Sequence, residues 1–183
     1  MAKQTAQQKT FESLKAVHGY TNVMQAPKVT KLVVSTGVGS IKDKKRLEFI
    51  VGRIARITGQ KPAPRPTTKS IANFKTRVGD MAGYQVTLRN QRAELFLQKL
   101  IHIVFPRVKD FRGINPKSID EMGNITVGFK EHTVFPETSD EDAKDVFGLA
   151  VTINTSATSA KEAESFLRHL GLPLREAGDT SKR

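Results

Sequence analysis

Cysteine is absent from the 183-residue chain. Disulfides, thiolate metal sites and a cysteine nucleophile are thereby excluded, and a reducing compartment, the cytoplasm, is expected. Tryptophan is absent as well, and there are only two tyrosines. Stacking of bases on aromatic rings therefore cannot dominate any nucleic-acid contact. No apolar run approaches the roughly 20 residues of a membrane-spanning helix, so no membrane partner is expected. The polar opening Met1–Thr10 has no apolar core of a secretion signal. Acidic side chains are scarce: 18 Asp and Glu stand against 30 Lys and Arg, a formal net charge of +12. A field of that sign collects polyanions. The excess is uneven. Residues 1–112 carry 22 basic and 6 acidic side chains, and residues 113–183 carry 8 and 12. The first part should face the polyanion, the last solvent or a basic partner.

The patterning predicts an α+β fold, an antiparallel-rich sheet with helices packed on one face and the other face left for RNA. A single domain over 1–175 is expected, with a disordered tail over 176–183. Lys3–His18 reads as a helix stopped by Gly19. Val29–Ser35 is a strand with Leu32 and Val34 on one side and Lys31, Val33 and Ser35 on the other. Asp43 caps a helix that runs to Thr58 and ends at Gly59. That helix buries Leu47, Ile50, Val51, Ile54 and Ile57, and carries Lys44, Lys45, Arg46, Arg53 and Arg56 largely off this stripe. Prolines 62, 64 and 66 hold the next stretch extended and keep it out of the middle of a sheet.

Lys69–Gly83 reads as a long mobile loop. Its Ile71 and Phe74 either fold back onto the core or stand free as a probe of a second nucleic acid. Tyr84–Arg89 is a strand with Gln85, Thr87 and Arg89 on its polar side. Asn90 is expected to cap a helix from Gln91 to Phe105, ended by Pro106, with Leu95, Phe96, Leu100, Ile101 and Val104 as its core stripe. A basic loop follows over 106–116. Ile125–Lys130 and Leu149–Ile153 are strands, and Thr133–Phe135 extends the sheet. Residues 137–145 form an acidic turn. Ser159 and Glu162 make a capping box at the head of a last helix that runs to Leu170.

Motifs for catalysis are thin. Gly37-Val38-Gly39 sits between a strand and a helix, as a dinucleotide fingerprint would. However, Lys42 occupies the third glycine position and Asp43 puts a negative charge where a pyrophosphate would lie. An ordinary tight turn is the better reading. The histidines, at 18, 102, 132 and 169, have no ligand spacing, and no metal or other cofactor is expected. The sharper signal is the polar strand face. Lys31 and Ser35 on one strand, Gln85, Thr87 and Arg89 on another, and Gln60 and Lys61 at the rim mix cations with short donors and acceptors. That mixture suits phosphates, sugars and 2′-hydroxyls of a folded RNA. Two rival readings remain open: a nucleotide-dependent enzyme built on the Gly37–Gly39 turn, and a general basic nucleic-acid-binding protein or RNA chaperone.

Several segments, in order over residues 8–175, resemble one family. They are Tyr20-Thr21-Asn22-Val23-Met24-Gln25-Ala26-Pro27, Gly37-Val38-Gly39, Thr58-Gly59-Gln60-Lys61-Pro62, Lys69-Ser70-Ile71-Ala72-Asn73-Phe74-Lys75, Val86-Thr87-Leu88-Arg89 and Pro106-Arg107-Val108-Lys109-Asp110-Phe111-Arg112-Gly113, with Phe135-Pro136-Glu137 and Leu172-Pro173-Leu174-Arg175. Together they resemble bacterial large-subunit ribosomal protein five, the 5S-rRNA-binding family of the central protuberance. The resemblance implies a non-enzymatic constituent of the ribosome. It implies contacts to 5S rRNA at Ser35, Gln60 and Thr87, with Arg89 as the family's basic residue, and Lys31, Lys61 and Arg92 are expected to join the same 5S rRNA site. Ser35 departs from the family, which usually has Asn there, and Asn73 and Asn90 replace family glycines. The loop, through Lys69, Ser70, Asn73, Phe74, Lys75 and Arg77, is expected to reach the P-site tRNA. Lys109, Asp110 and Arg112 are expected in a bridge to a small-subunit head protein. Large-subunit rRNA and neighbouring ribosomal proteins are further expected partners. The acidic balance of 113–183, Asp140, Glu141 and Asp142 included, is consistent with facing a basic head protein.

Overall fold

The computed structural model describes residues 6–41, 43–139 and 146–175. Its elements are α1 (Ala6–His18), β1 (Val29–Gly37), α2 (Lys44–Thr58), β2 (Ala63–Pro66), β3 (Met81–Leu88), α3 (Asn90–Lys99), α4 (Phe105–Arg107), β4 (Ile125–Phe129), β5 (Leu149–Thr155) and α5 (Ala160–His169), with short 3-10 turns between them. The strands form one sheet in the order β2-β3-β1-β5-β4. β2 runs antiparallel to β3. The Oγ1 atoms of Thr30 and Thr36 donate to the carbonyls of Asn154 and Gly148, so β5 runs opposite to β1. Thr126 meets Thr152, and Asn154 donates to Asn124, the same antiparallel relation between β5 and β4. The fold is α+β, as expected.

The chain divides into two compact units. One comprises 33–41, 43–88, 127–139 and 146–151 among the described residues. In it the buried stripe of α2, Ile50, Ile54 and Ile57, packs against β3 and the turn Pro136–Thr138. The expected ends of α2 hold. Asp43 accepts a hydrogen bond from the Lys45 amide at 3.0 Å, and Gly59 closes the helix at φ +66. β2 is an edge strand with all four residues exposed, the one kind of strand its prolines permit. Gly83 is where β3 needs a glycine. A Cβ there would lie 2.5 Å from the carbonyl oxygen of Thr36.

The other unit comprises 6–32, 89–126 and 152–175 among the described residues. Leu14, Tyr20, Ala26 and Phe166 form a buried cluster, with Phe11, Val29 and Leu170 against it. Buried Glu162 ties this unit together. It accepts hydrogen bonds from the Tyr20 hydroxyl (2.5 Å) and from the amide and hydroxyl of Thr158 (2.7 and 2.9 Å). Ser159 takes the Glu162 amide, so only half of the expected capping box forms. The carboxylate reaches Thr158 and Tyr20 instead.

Several expectations need correction. α3 buries Ala93, Phe96 and Leu97, while Leu95 is 57 % exposed; at 100° per residue Leu97 faces inward and Leu95 does not. Asn90 does not cap this helix. Arg89 stands at the cap position, without a side-chain bond, and Asn90 itself has φ +53. Pro106 does not end the helix either. A π-turn over Leu100–Val104 sends the Phe105 amide to the Leu100 carbonyl, and the helix continues to Arg107. The widened turn makes room for a ring that would strike a regular helix. Residues 132–134 form a 3-10 turn, not a continuation of the sheet. β1 runs two residues beyond Ser35, and β3 starts at Met81, not Tyr84. The expected helix start at Lys3, most of the acidic turn with residues 140–145, and the tail 176–183 lie outside the described residues.

Candidate nucleic-acid interface

The amide of Val38 donates to the Ala82 carbonyl at 2.9 Å, and this bond sets β1 against β3. Followed along two antiparallel strands, it places Ser35 opposite Gln85 and Val33 opposite Thr87. Ser35, Gln85 and Thr87 therefore share one sheet face. The alternation of burial agrees. Val34, Thr36, Val86 and Leu88 are buried, whereas Val33, Ser35, Gln85 and Thr87 are only half-buried. A central sheet face that stays half-open and polar has room for a partner.

Gln60 is half-buried at the end of α2 and Lys61 is exposed. The backbone at Gln60 is held by Thr58, whose hydroxyl donates to Ile54 (2.7 Å), lies 3.0 Å from the Gln60 carbonyl and accepts from its amide (3.4 Å). The structure adds one residue to this unit's polar set that the sequence reading missed, Arg65. Its Nε donates to Gln85 Oε1 at 2.7 Å, and the β2–β3 register, Ala63 opposite Gln85, puts it on the same face. The bond orients Gln85 and leaves an arginine head at the sheet edge. The sequence shows that Arg65 alternates with prolines in Pro64-Arg65-Pro66, but only the register with β3 decides which face it takes.

Lys31, Arg89 and Arg92 belong to the other unit. Lys31 is half-buried, and Arg89 and Arg92 are exposed. Lys109, Asp110 and Arg112 are exposed there too. Their loop is clamped from behind. Arg175 Nε donates to the carbonyls of Arg112 and Gly113, both at 3.1 Å, and Ile114 exchanges bonds with the chain at Pro173 and Arg175. Asp110, at φ +54, and Gly113, at φ +88, make the turn.

The expected mobile loop is a hydrogen-bonded hairpin. The Thr67 amide and hydroxyl both donate to the Asp80 carbonyl, and the Gly79 amide donates to Thr67. Further out, Asp80 accepts from the Arg77 amide, Ser70 accepts from the Val78 amide, and Ile71 and Thr76 bond reciprocally. The tip is a 3-10 turn over Ala72–Phe74, closed by Lys75 at φ +51. Ile71 and Phe74 do not fold back onto the core; they are 44 % and 74 % exposed. Lys69, Ser70, Asn73, Lys75 and Arg77 are exposed around them. A large aromatic held in water at the tip of a cationic hairpin is suited to contact with a nucleic acid.

The Gly37–Gly39 turn is an ordinary strand exit. Val38 is buried, and Asp43 occupies the amide of the helix N-terminus that a phosphate would need.

Two family models match the chain. One is described as "Ribosomal protein L5" and covers residues 22–77; the other describes the C-terminal part of the same ribosomal protein family and covers residues 81–174. Among relatives, the large ribosomal subunit protein uL5 of Synechococcus sp. is 45 % identical over 159 residues, 86 % of this chain and 89 % of the relative. The proteins of the same name from Halothermothrix orenii and Ureaplasma urealyticum are 45 % and 42 % identical over 158 and 169 residues. These cover 86 % and 92 % of this chain, and 88 % and 92 % of the relatives.

Proposed function

Because the chain belongs to the ribosomal protein L5 family, and so is a structural constituent of the ribosome in the cytoplasm and not an enzyme, we propose that it anchors 5S rRNA on its open sheet face. The observation that carries this reading is the half-buried polar face of Ser35, Gln85 and Thr87 beside Arg65 in a strongly basic segment. Lys31, Lys61, Arg65, Arg89 and Arg92 supply affinity by displacing condensed cations from phosphates. Ser35, Gln60 and Thr87 set register through hydrogen bonds to riboses and phosphates. Ser35 is short, so its contact has less reach than the Asn usual in the family. The hairpin of Lys69, Ser70, Asn73, Phe74, Lys75 and Arg77 extends to the P-site tRNA, with Phe74 against a sugar or base. Lys109, Asp110 and Arg112, held by Arg175, join a bridge to a head protein of the small subunit. In this reading 1–175 is a single ribosomal RNA-binding domain.

Titration of a 5S rRNA transcript tests the face. Thr87→Ala strands a polar partner in a largely dehydrated contact, a cost of about 1–3 kcal/mol, or roughly five- to 150-fold in affinity. Lys61→Ala is expected to weaken binding modestly and to lower the salt slope by about one. Unchanged affinity in Thr87→Ala removes the face from the account.

A further inference from the structure

The two edges of the five-stranded sheet are guarded unequally. At β2, Pro64 and Pro66 have no amide to offer a further strand. At the other edge, β4 holds neither a proline nor a charged residue. Just before it, the Asn124 carbonyl accepts from the Asp120 amide at 2.9 Å, beside the bridge between Ile119 and Ile125. That bond lies on the side away from β5. Backbone groups of alternate residues along a strand point to the same side. Gly128 therefore aims its amide and carbonyl outward, and Phe129 aims its carbonyl inward. The inward direction shows at Gly148, next to β5, where a Cβ would lie 3.2 Å from the Phe129 oxygen. The cover from Ile119 and Asp120 ends short of Gly128, and no turn or loop among the described residues bonds to its backbone. Gly128 is exposed, and a Cβ built there meets no atom within 4 Å. A glycine inside a strand weakens it and marks a place where another backbone comes close. Charge selects that backbone. Residues 131–145, between β4 and β5, hold six acidic side chains, Glu131, Glu137, Asp140, Glu141, Asp142 and Asp145, against one lysine, Lys144. This end of the strand attracts a cationic chain and repels a phosphate backbone.

We propose that the outer edge of β4 is a strand-addition site, which takes an extended lysine- or arginine-rich segment of another protein as a sixth strand paired to Gly128. Main-chain bonds to Gly128 hold the segment, and its cations answer the acidic connection that follows β4. The site is independent of the 5S contact. Ser35 and Thr87 lie on β1 and β3, and β5 stands between β1 and β4. The edge is also distinct from the face, because the partner bonds in the plane of the sheet and does not lie across it.

The test uses the full chain free of RNA, labelled for NMR. The probe is a capped peptide of about eight residues that alternates Lys and Val, long enough for one strand. Saturation with it is expected to slow hydrogen exchange of the Gly128 amide by about tenfold or more. Gly128→Ala keeps the amide and is expected to bind within about twofold of the parent. Gly128→Pro removes the outward amide but no β4–β5 bond, and is expected to bind about tenfold more weakly. The same peptide N-methylated throughout keeps its charge and loses its donors, and is expected to bind the parent about tenfold more weakly as well. This arm needs no variant to fold. A peptide with Glu in place of every Lys is expected not to bind. No binding of the Lys peptide, equal binding of its methylated form, or unchanged exchange at Gly128 overturns the proposal. None of these results bears on the titration with 5S rRNA.

Discussion

Gly83→Val is expected to destabilise the protein by at least about 3 kcal/mol, which lowers the Tm by roughly 6–12 °C. The added Cβ would sit 2.5 Å from the Thr36 carbonyl oxygen and 3.6 Å from the Gly37 Cα. Neither obstacle is the free end of a side chain. Both are backbone of β1, the middle strand of five. For the clash to relax, β3 must move off β1, and the Val38–Ala82 bond lengthens with it. The polar face depends on that spacing, so 5S rRNA affinity falls together with stability. Gly128→Ala is the control. It too replaces a glycine in a strand, but its Cβ meets nothing within 4 Å, and a change within about 0.5 kcal/mol is expected. Thermal melts of the two variants side by side check the pair. Equal effects would mean that β1 and β3 are not as close as described.

The second large effect lies at Glu162. Glu162→Ala removes the acceptor of three hydrogen bonds and leaves the Tyr20 hydroxyl and the Thr158 amide without their bonds. A loss of about 3–5 kcal/mol is expected, read by chemical denaturation. Burial works to raise the Glu162 pKa, but the hydrogen bonds from Tyr20 and Thr158, with the nearby His18, outweigh it and hold the carboxyl below its ordinary value of 4.5. Tyr20 moves the other way. Burial, the bond to Glu162 and the carboxylate charge raise its phenol above the usual 10.0. The signs follow by linkage. The folded Glu162 binds its proton less readily than the unfolded one. Its contribution is complete above about pH 5 and is lost as pH falls through the lowered folded value. In Glu162→Gln this part of the acid dependence is expected to disappear. A variant with the same acid limb as the parent would contradict the assignment.

These two sites also show what a sequence can and cannot reveal. The ends of α2 were legible because Asp43 and Gly59 act on their own neighbours. The edge position of β2 was legible because proline cannot donate to a ladder on both sides. The polar faces of β1 and β3 followed from simple alternation, which brought Ser35 and Thr87 into view. Other features depend on partners far along the chain. Glu162 looked like a local capping residue, yet its carboxylate serves Tyr20, 142 residues away. Arg65 joined the polar face only through the β2–β3 register. The hairpin at 67–80 looked like a slack loop because its order comes from small polar residues bonding to backbone, not from apolar periodicity. In α3, the closely spaced leucines 95 and 97 offer two inward stripes, and only packing chooses between them.

The central claim is that the half-open polar face is shaped to one folded RNA and is more than a cationic surface. The most direct measurement is the ratio of affinities for a 5S rRNA transcript and for duplex DNA of equal length, at about 0.15 M salt. A preference of roughly a thousandfold or more for the RNA is expected, cut at least tenfold by Thr87→Glu, while DNA binding changes little. Equal affinity for the two nucleic acids, with Thr87→Glu indistinguishable from the parent, would contradict it.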